Sequence, residues 1–387
     1  MAIDLGAIEA QLNEAFPGAV VDRDGDWLVL DAGQLTTVAT HLRDEMGFDY
    51  LTHLSASDYD DRIEVVYNLY STQPGQQGPG LPLKVRLPDR ADPRLSSVTP
   101  IWPGANFQER EVWDMFGVRF EGHPNLKRIL LWEGFEGHPL RKDWHEPYYT
   151  EDKKPYKSRW PNPESPQPRS AEQRVRWRAN VQYPKGFDPD PEKWQPLPEI
   201  DVLPGEKINV NGLKTDSVLL NIGPHHPSTH GVFRMVVSLQ GETVTSLYPV
   251  VGHLHRNHEK IGERNLWTGN IPYTDRLDYI SPMYNAFGYV VAVERMMGQE
   301  VAERAEYLRI ITGELTRIIN HLLAVGFLFN ELGAMMTPMI YGFTEREHVL
   351  DLWEEASGAR MMVNYYRFGG VARDVSDDWL KRCRKVT

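Results

Sequence analysis

Apolar residues follow two different spacings along the first 90 residues. In two segments they recur every three or four positions, which is the spacing of one helix face, whereas four other segments have the dense or alternating apolar pattern of β-strands. The predicted helices cover residues 6–16 and 35–46, and the predicted strands cover residues 27–30, 50–55, 63–70 and 83–87. Because helices and strands alternate over short distances, the pattern predicts a compact α+β domain.

Regular periodicity is lost in the middle of the chain, where proline is concentrated. Eleven of the 28 prolines lie between Pro155 and Pro204, mixed with charged residues. Such a composition disfavours helices and strands and is typical of an extended linker. The sequence therefore predicts three parts, namely a first domain at residues 1–149, a Pro-rich linker at 150–205 and a second domain at 206–387.

Periodicity returns in the second domain, first with strand character and then with helical character. Charged side chains such as Glu314 interrupt the longest helical segment, so we interpret it as part of a helical bundle and not as a membrane span. The predicted strands cover residues 217–222 and 233–239, and the predicted helices cover residues 282–297 and 301–332.

Composition narrows the possible functions. The 387 residues carry a net charge of −12, which argues against general nucleic-acid binding because phosphate neutralisation needs a concentrated Lys/Arg surface. The first residues lack a basic segment followed by an apolar one, and no apolar run of roughly 18 residues occurs. We expect a chain on the cytoplasmic side that does not itself span a membrane.

Cys383 is the single cysteine of the sequence. One thiol cannot form a disulfide within the chain and cannot hold a cluster that needs several thiolates. Any redox centre is therefore expected to belong to partner proteins.

The densest charged run of the first domain begins at Glu109. With Arg110, Glu111 and Asp114 it is interpreted as a charged first turn of a helix that ends at Gly117. Paired acids can serve acid/base catalysis, but charged residues at helix ends more often cap the helix or form surface salt bridges. We therefore interpret this run as structural.

Histidines are concentrated at the start of the second domain. His226 and His230 have the i, i+4 spacing of zinc ligands on a helix. Pro224 and Pro227 indicate a loop instead, and no Glu lies between the two histidines. Such a loop can hold an imidazole rigidly beside a ligand oxygen, to which it donates a hydrogen bond or a proton. A histidine bonded to backbone in a turn is the alternative. The six histidines are His225, His226, His230, His253, His255 and His258.

Longer strings of both domains resemble a known family. Residues 109–130 and the continuation Gly137-His-Pro-Leu-Arg-Lys-Asp-Trp144 resemble the C-type component, the 30 kDa class, of proton-pumping NADH:quinone oxidoreductase (respiratory complex I), with Lys127 in place of an Arg. Residues 217–375 resemble its D-type component, the 49 kDa class. The motifs that carry this second resemblance lie at residues 221–232, 254–260, 273–279, 313–321, 357–360 and 369–371.

The resemblance implies a fused C-like and D-like chain. Its expected fold is an α/β domain of the 30 kDa class without a cofactor, a linker, and a β-hairpin region followed by an α-helical bundle related to the large subunit of nickel–iron hydrogenases. Members of the D family run well beyond Gly370, so we expect the D-like half to be incomplete, as in a fragment or a shortened gene product.

The same resemblance implies a quinone site. In that family the quinone headgroup lies between the histidine that ends the hairpin motif and the tyrosine of the Arg-Leu-Asp-Tyr motif, which correspond here to His230 and Tyr279. Both side chains can donate a hydrogen bond to a quinone carbonyl and stabilise the oxyanion that forms on reduction. Glu331, beside a one-residue insertion at 335–336, is the expected acidic proton relay, and His226 is a further candidate.

Two other positions are expected near the electron donor. Arg256 corresponds to an arginine close to the terminal iron–sulfur cluster of a neighbouring subunit, and Met362 stands where the family has a histidine near that cluster. The implied partners are the subunit that carries this [4Fe–4S] cluster and the membrane-arm subunit of the quinone channel. FMN and NADH are expected in other subunits, because no Gly-x-Gly-x-x-Gly run is present. The implied location is peripheral, on the cytoplasmic side of the inner membrane.

Two other classes of protein were weighed against this interpretation. A hydrogenase would need a Cys-x-x-Cys pair in the segment that reads Asp278-Tyr-Ile-Ser281, and neither Asp nor Ser supplies the thiolate that nickel and iron require. A structural or assembly protein without quinone chemistry is the second alternative, favoured if the shortened second domain cannot close its pocket.

Overall fold

The computed structural model describes residues 4–74, 78, 80–132, 135, 137–144, 208–210, 213–215, 218–226, 229 and 231–387. Two compact units are present. The first comprises Met1–His225 with Val232–Leu254, and the second comprises His226–Gly231 with His255–Thr387. The predicted linker lies outside the described residues, so the predicted domain boundaries stay predictions.

The first unit contains short helices and a central sheet. Its helices are α1 (Leu5–Ala15), α2 (Leu35–Asp44) and α3 (Ala105–Phe116), with a 3₁₀ turn at Ala32–Gln34. Its first strands are β1 (Val20–Asp24), β2 (Trp27–Leu30), β3 (Tyr50–Asp58), β4 (Ile63–Tyr70), β5 (Leu81–Leu87), β6 (Arg94–Ser96) and β7 (Arg119–Glu121).

Five of these strands form a mixed sheet in the order β1-β2-β5-β4-β3. Only the β2–β5 pair is parallel. The interior of the sheet is strongly apolar because alternate residues such as Ile63, Val65 and Tyr67 of β4 are buried. Helices α1 and α2 contribute Leu12 and Leu42 to the same core. Strands β6 and β7 form a separate parallel pair.

The remaining strands of the first unit are antiparallel. Strands β8 (Ile208–Val210) and β9 (Leu213–Thr215) pair with each other. Strands β10 (Val218–Ile222), β11 (Arg234–Gln240) and β12 (Thr243–Val250) form a three-stranded sheet in sequence order. The two strands predicted in this region are thus confirmed to within one residue, and β12 is an additional strand.

The second unit is mainly helical. Its helices are α4 (His258–Arg264), α5 (Trp267–Thr274), α6 (Pro282–Met297), α7 (Glu303–Phe329), α8 (Thr337–Ser357) and α9 (Asp377–Val386). A short hairpin pairs β13 (Tyr366–Arg367) with β14 (Gly370–Val371). The helices and the hairpin share one core, in which Trp353, Tyr365 and Trp379 are fully buried.

The long predicted helix at residues 301–332 ends earlier than the apolar spacing indicates. Helix α7 stops at Phe329 and a π-helical turn, Asn330–Ala334, follows it. Gly333 and Met335 have φ values of 94° and 55°, so the chain leaves the helical conformation at these two positions.

The C-terminal segment corrects a second expectation. No final element was predicted there, but Asp377–Val386 forms α9, whose Ser376 side chain accepts a hydrogen bond from the Trp379 N–H at 3.1 Å. Acidic residues occupy the first turn and basic residues the last, as the helix dipole favours. None of the helices that the structure describes is long and apolar enough to serve as a membrane span.

Candidate functional site

The charged run that begins at Glu109 is buried, which corrects the interpretation of a charged surface turn. Helix α3 begins at Ala105, so Glu109, Arg110 and Asp114 lie inside it, and all three are at least nine-tenths buried. Of the four charged residues, Glu111 is exposed. The predicted helix end is confirmed, since Gly117 adopts a left-handed φ of 83° there.

Asp114 organises the segment that follows α3. Its Oδ2 atom accepts hydrogen bonds from the backbone N–H groups of Ile129, Leu130 and Leu131 at 2.9–3.0 Å. Its Oδ1 atom lies 2.5 Å from Nη1 of Arg128. A buried carboxylate with this many donors fixes the backbone around it. The motif is therefore structural, as the sequence predicted, although by a different arrangement.

Glu109 is held in a similar way by the segment that follows β6. It accepts hydrogen bonds from the Ser97 hydroxyl, the Val98 N–H and the Thr99 hydroxyl at 2.6, 2.7 and 3.1 Å. Burial raises the pKa of Glu109, and these three hydrogen bonds oppose that rise. The three donors all come from the fold itself, which supports a structural role.

The hairpin loop and the tyrosine of the predicted quinone site meet in the second unit. A methyl group on Gly231 would lie 2.7 Å from the Tyr279 hydroxyl oxygen, so the backbone at Gly231 passes directly over that hydroxyl. His230 itself lies outside the described residues, and its role stays a prediction. Tyr279 is half-buried, in the turn between α5 and α6.

Thr229 links two carbonyl groups of this loop. Its hydroxyl donates to the His226 carbonyl at 2.7 Å and lies 3.2 Å from the Gly231 carbonyl. The Thr229 N–H also donates to the His226 carbonyl, at 3.0 Å. The geometry is that of a hydrogen-bonded turn rather than an α-helix, in agreement with the interpretation of the flanking prolines.

The other predicted site residues lie in separate segments of the chain. His226 is exposed at the start of the loop, and Glu331 is exposed within the π-helical turn. Arg256 is exposed just before α4, and Met362 is half-buried in the segment between α8 and β13. Within the described residues the structure shows no contact that joins any of these four to Tyr279, and their roles stay predictions.

Sequence reasoning missed Asp275, which lies four residues before Tyr279. It is completely buried, and its Oδ2 atom accepts a hydrogen bond from the Asn364 N–H at 2.7 Å. Helical spacing contains a signal for this position, because Asp275 follows the buried Ile271 by four residues and so continues the inward face of α5.

Metal-binding groups were sought among the described residues. In that part of the chain no three His, Cys, Asp or Glu side chains are close enough together to hold a metal ion.

Comparison with known families gives two matches at different parts of the chain. Residues 28–150 match the family described as the 30 kDa subunit of respiratory-chain NADH dehydrogenase, and residues 331–387 match the family described as its 49 kDa subunit. The mixed α+β class and the resemblance to both families are thereby confirmed.

Curated bacterial relatives are similar over most of the chain. Fused C/D subunits of NADH-quinone oxidoreductase, as these relatives are named, from Methylococcus capsulatus and Nitrosospira multiformis are each 36% identical, over 92% and 96% of this chain. The protein of the same name from Gluconacetobacter diazotrophicus is 40% identical over 79% of this chain. The chain matches 57%, 58% and 45% of the lengths of these three relatives.

Proposed function

Because the chain belongs to the 30 kDa and 49 kDa subunit families of respiratory-chain NADH dehydrogenase, we propose that it forms part of the quinone-reducing site of a multisubunit NADH:quinone oxidoreductase. In this proposal the electrons pass from NADH through FMN and iron–sulfur clusters of partner subunits. A quinone accepts two electrons and two protons and leaves as quinol.

The observation that carries the proposal is the contact between the hairpin loop and Tyr279. Gly231 lies against the Tyr279 hydroxyl, and position 230 directly precedes it in the chain. An imidazole and a phenol on one small site can donate to the oxygen of a bound quinone. Donors that are already in place stabilise the oxyanion without reorganisation.

In this proposal the chain supplies groups that bind and protonate the quinone, whereas its partners supply the electrons. We place Arg256 and Met362 on the side of the partner's [4Fe–4S] cluster and the membrane-arm subunit on the side where quinone enters. Glu331 and His226 are the proposed proton relay to His230. Peripheral attachment on the cytoplasmic side of the membrane completes this assignment.

The test is Tyr279→Phe in the assembled complex. We expect quinone reduction to fall about 100-fold, the usual effect of removing one preorganised donor. Electron transfer from NADH to hexaammineruthenium, which does not need the quinone site, should be unchanged. Tyr307→Phe, the same change on an exposed residue of α7, is the matched control.

Either of two results would refute the assignment. The first is normal quinone reduction by Tyr279→Phe. The second is an equal loss of both NADH activities, which would mean that Tyr279 is needed for assembly, as in the alternative of a structural protein.

A further inference from the structure

Asp275 occupies an unusual position in the turn that carries Tyr279. Three consecutive residues after it, Arg276, Leu277 and Asp278, are exposed, and Leu277 is 61% exposed. Asp275 is 0% exposed. A turn that exposes a leucine and buries a carboxyl group reverses the arrangement that folding alone favours. The burial of Asp275 therefore calls for a specific partner.

That partner is the segment between α8 and β13. The Asn364 N–H donates to Oδ2 of Asp275 at 2.7 Å. Among the described residues, Oδ1 of Asp275 has no hydrogen-bond partner. Asp275 thus makes one strong link across 89 residues of sequence and keeps a second acceptor atom unused inside the fold.

Asn364 is held from its other side by an arginine. Nη1 of Arg367 donates to the Asn364 carbonyl at 2.5 Å and to its side-chain oxygen at 2.9 Å. Asn364 has a φ of 43°, a left-handed conformation that costs free energy for a residue with a side chain. Two charged residues from different segments therefore stabilise one strained backbone position.

The charged groups that face Asp275 are few. From its own turn Arg276 acts on it, although the Arg276 guanidinium donates to the Pro272 carbonyl and not to Asp275. From the β13 side Arg367 acts on it through its charge. Burial raises the pKa of Asp275 to about 6, and the Asn364 hydrogen bond and both arginines oppose that rise.

The link joins two segments of the proposed quinone site. Tyr279 lies four residues after Asp275, and Met362, expected on the side of the partner's cluster, lies two residues before Asn364. We propose that Asp275 is a positioning residue of this site: its carboxyl group holds the Met362 segment against the Tyr279 turn, and its change of charge with pH changes the strength of that link. The proposal rests on the quinone-reducing function proposed above.

The strength of the link depends on charge. A carboxylate accepts the Asn364 N–H more strongly than a neutral carboxyl group does, because charge-assisted hydrogen bonds are roughly twice as strong. Protonation therefore weakens the link, and the distance between the two segments becomes less well defined. We expect quinone reduction by the unmodified complex to decline as pH falls through about 6.

The experiment compares Asp275→Asn and Asp275→Ala in the assembled complex. An asparagine still accepts the Asn364 N–H but does not titrate, so quinone reduction should lose the decline near pH 6 and keep a moderate rate. An alanine removes the acceptor, and kcat/KM for quinone should fall about tenfold at neutral pH, as expected when about 1.4 kcal/mol of positioning is lost. Electron transfer to hexaammineruthenium should be unchanged in both. Asp374→Asn, an exposed carboxylate paired with Arg304, is the matched control.

The outcomes separate this inference from the proposed function. Asp275→Asn with the pH profile of the unmodified complex, or Asp275→Ala with an unchanged kcat/KM, overturns the role of Asp275 when Tyr279→Phe has lost quinone reduction. If Tyr279→Phe keeps quinone reduction, the proposed function itself fails. If Asp275→Ala does not assemble, the pH profile of the nearly isosteric Asp275→Asn decides.

Discussion

Buried carboxyl groups of this chain differ in how completely they are satisfied. Asp114 accepts three backbone hydrogen bonds and an arginine, and Glu294 accepts hydrogen bonds from Arg309 and from the Gly369 N–H. Asp275 has one hydrogen bond, on one of its two oxygens. The first two stabilise the fold in their charged form, whereas the charge of Asp275 is a cost to folding.

That cost makes Asp275→Asn a stabilising substitution at neutral pH. A carboxyl group whose pKa is raised on folding binds its proton more tightly in the folded state, so stability declines as pH rises from about 4 to about 6. Removing the charge should raise the free energy of unfolding by about 3 kcal/mol at neutral pH and by little at about pH 4. Urea unfolding at the two pH values measures the difference; a gain that is equal at both would contradict this explanation.

Asp114→Ala should have the opposite effect. It leaves the Arg128 guanidinium and three backbone N–H groups without their acceptor inside the fold, and we expect a loss of about 3–5 kcal/mol. Fluorescence of Trp113, which lies 5.5 Å from the Arg128 guanidinium, should report the change during urea unfolding. Asp61→Ala, in an exposed pair with Arg62, should be close to neutral.

At the scale of elements, one arginine connects α6, α7 and the β13–β14 hairpin. Arg309 of α7 is almost completely buried and pairs with Glu294 of α6 at 2.6 Å. It also donates to the carbonyls of Arg367 and Gly370 at 2.8 and 3.0 Å. Burial would raise the pKa of Glu294, but the hydrogen bonds of Arg309 and Gly369 lower it overall.

Arg309→Leu should therefore destabilise the second unit by about 3–5 kcal/mol, because Glu294 then remains buried without its partner. Arg304→Leu, which breaks an exposed pair with Asp374, is the control and should change little. Since the pKa of Glu294 is lowered, the contribution of the pair is present above pH 4.5 and is lost as pH falls further. Thermal unfolding of both variants at neutral pH and at about pH 3.5 tests this; a difference between them that persists in acid would argue against the ion pair.

Sequence patterns predicted elements better than they predicted interiors. The strands at 27–30 and 63–70 agree with the structure, because their apolar residues alternate or run together in the way that β-sheets require. The end of α7 was missed, since apolar spacing continues through Leu332 while the backbone turns at Gly333. Periodicity records which side chains are apolar and does not record a change in backbone conformation.

For the site, the sequence supplied the residue types but not their surroundings. The motif at 273–279 contains two aspartates, and nothing in their spacing to Tyr279 shows that Asp275 is buried and Asp278 exposed. The difference arises from Asn364, which is 89 residues distant in sequence and close in space. Likewise the contact of Gly231 with the Tyr279 hydroxyl depends on how two distant segments pack.

At the scale of the whole molecule, the chain has two separate hydrophobic cores among its described residues. Separate cores favour separate cooperative transitions. We expect two peaks in differential scanning calorimetry, with Asp114→Ala lowering the Tm of one and Arg309→Leu lowering the Tm of the other. A single peak that shifts in both variants would show that the two units unfold together.

The position of Asp114 also defines a small anion receptor that the chain fills with its own side chain. Three N–H groups from Ile129 to Leu131 converge on one oxygen, and Arg128 approaches the other. Asp114→Gly would remove the carboxylate and leave a space of similar size beside those donors. Formate added to the buffer has the charge and shape to replace it, so we expect chemical rescue of the lost stability by formate and none by chloride.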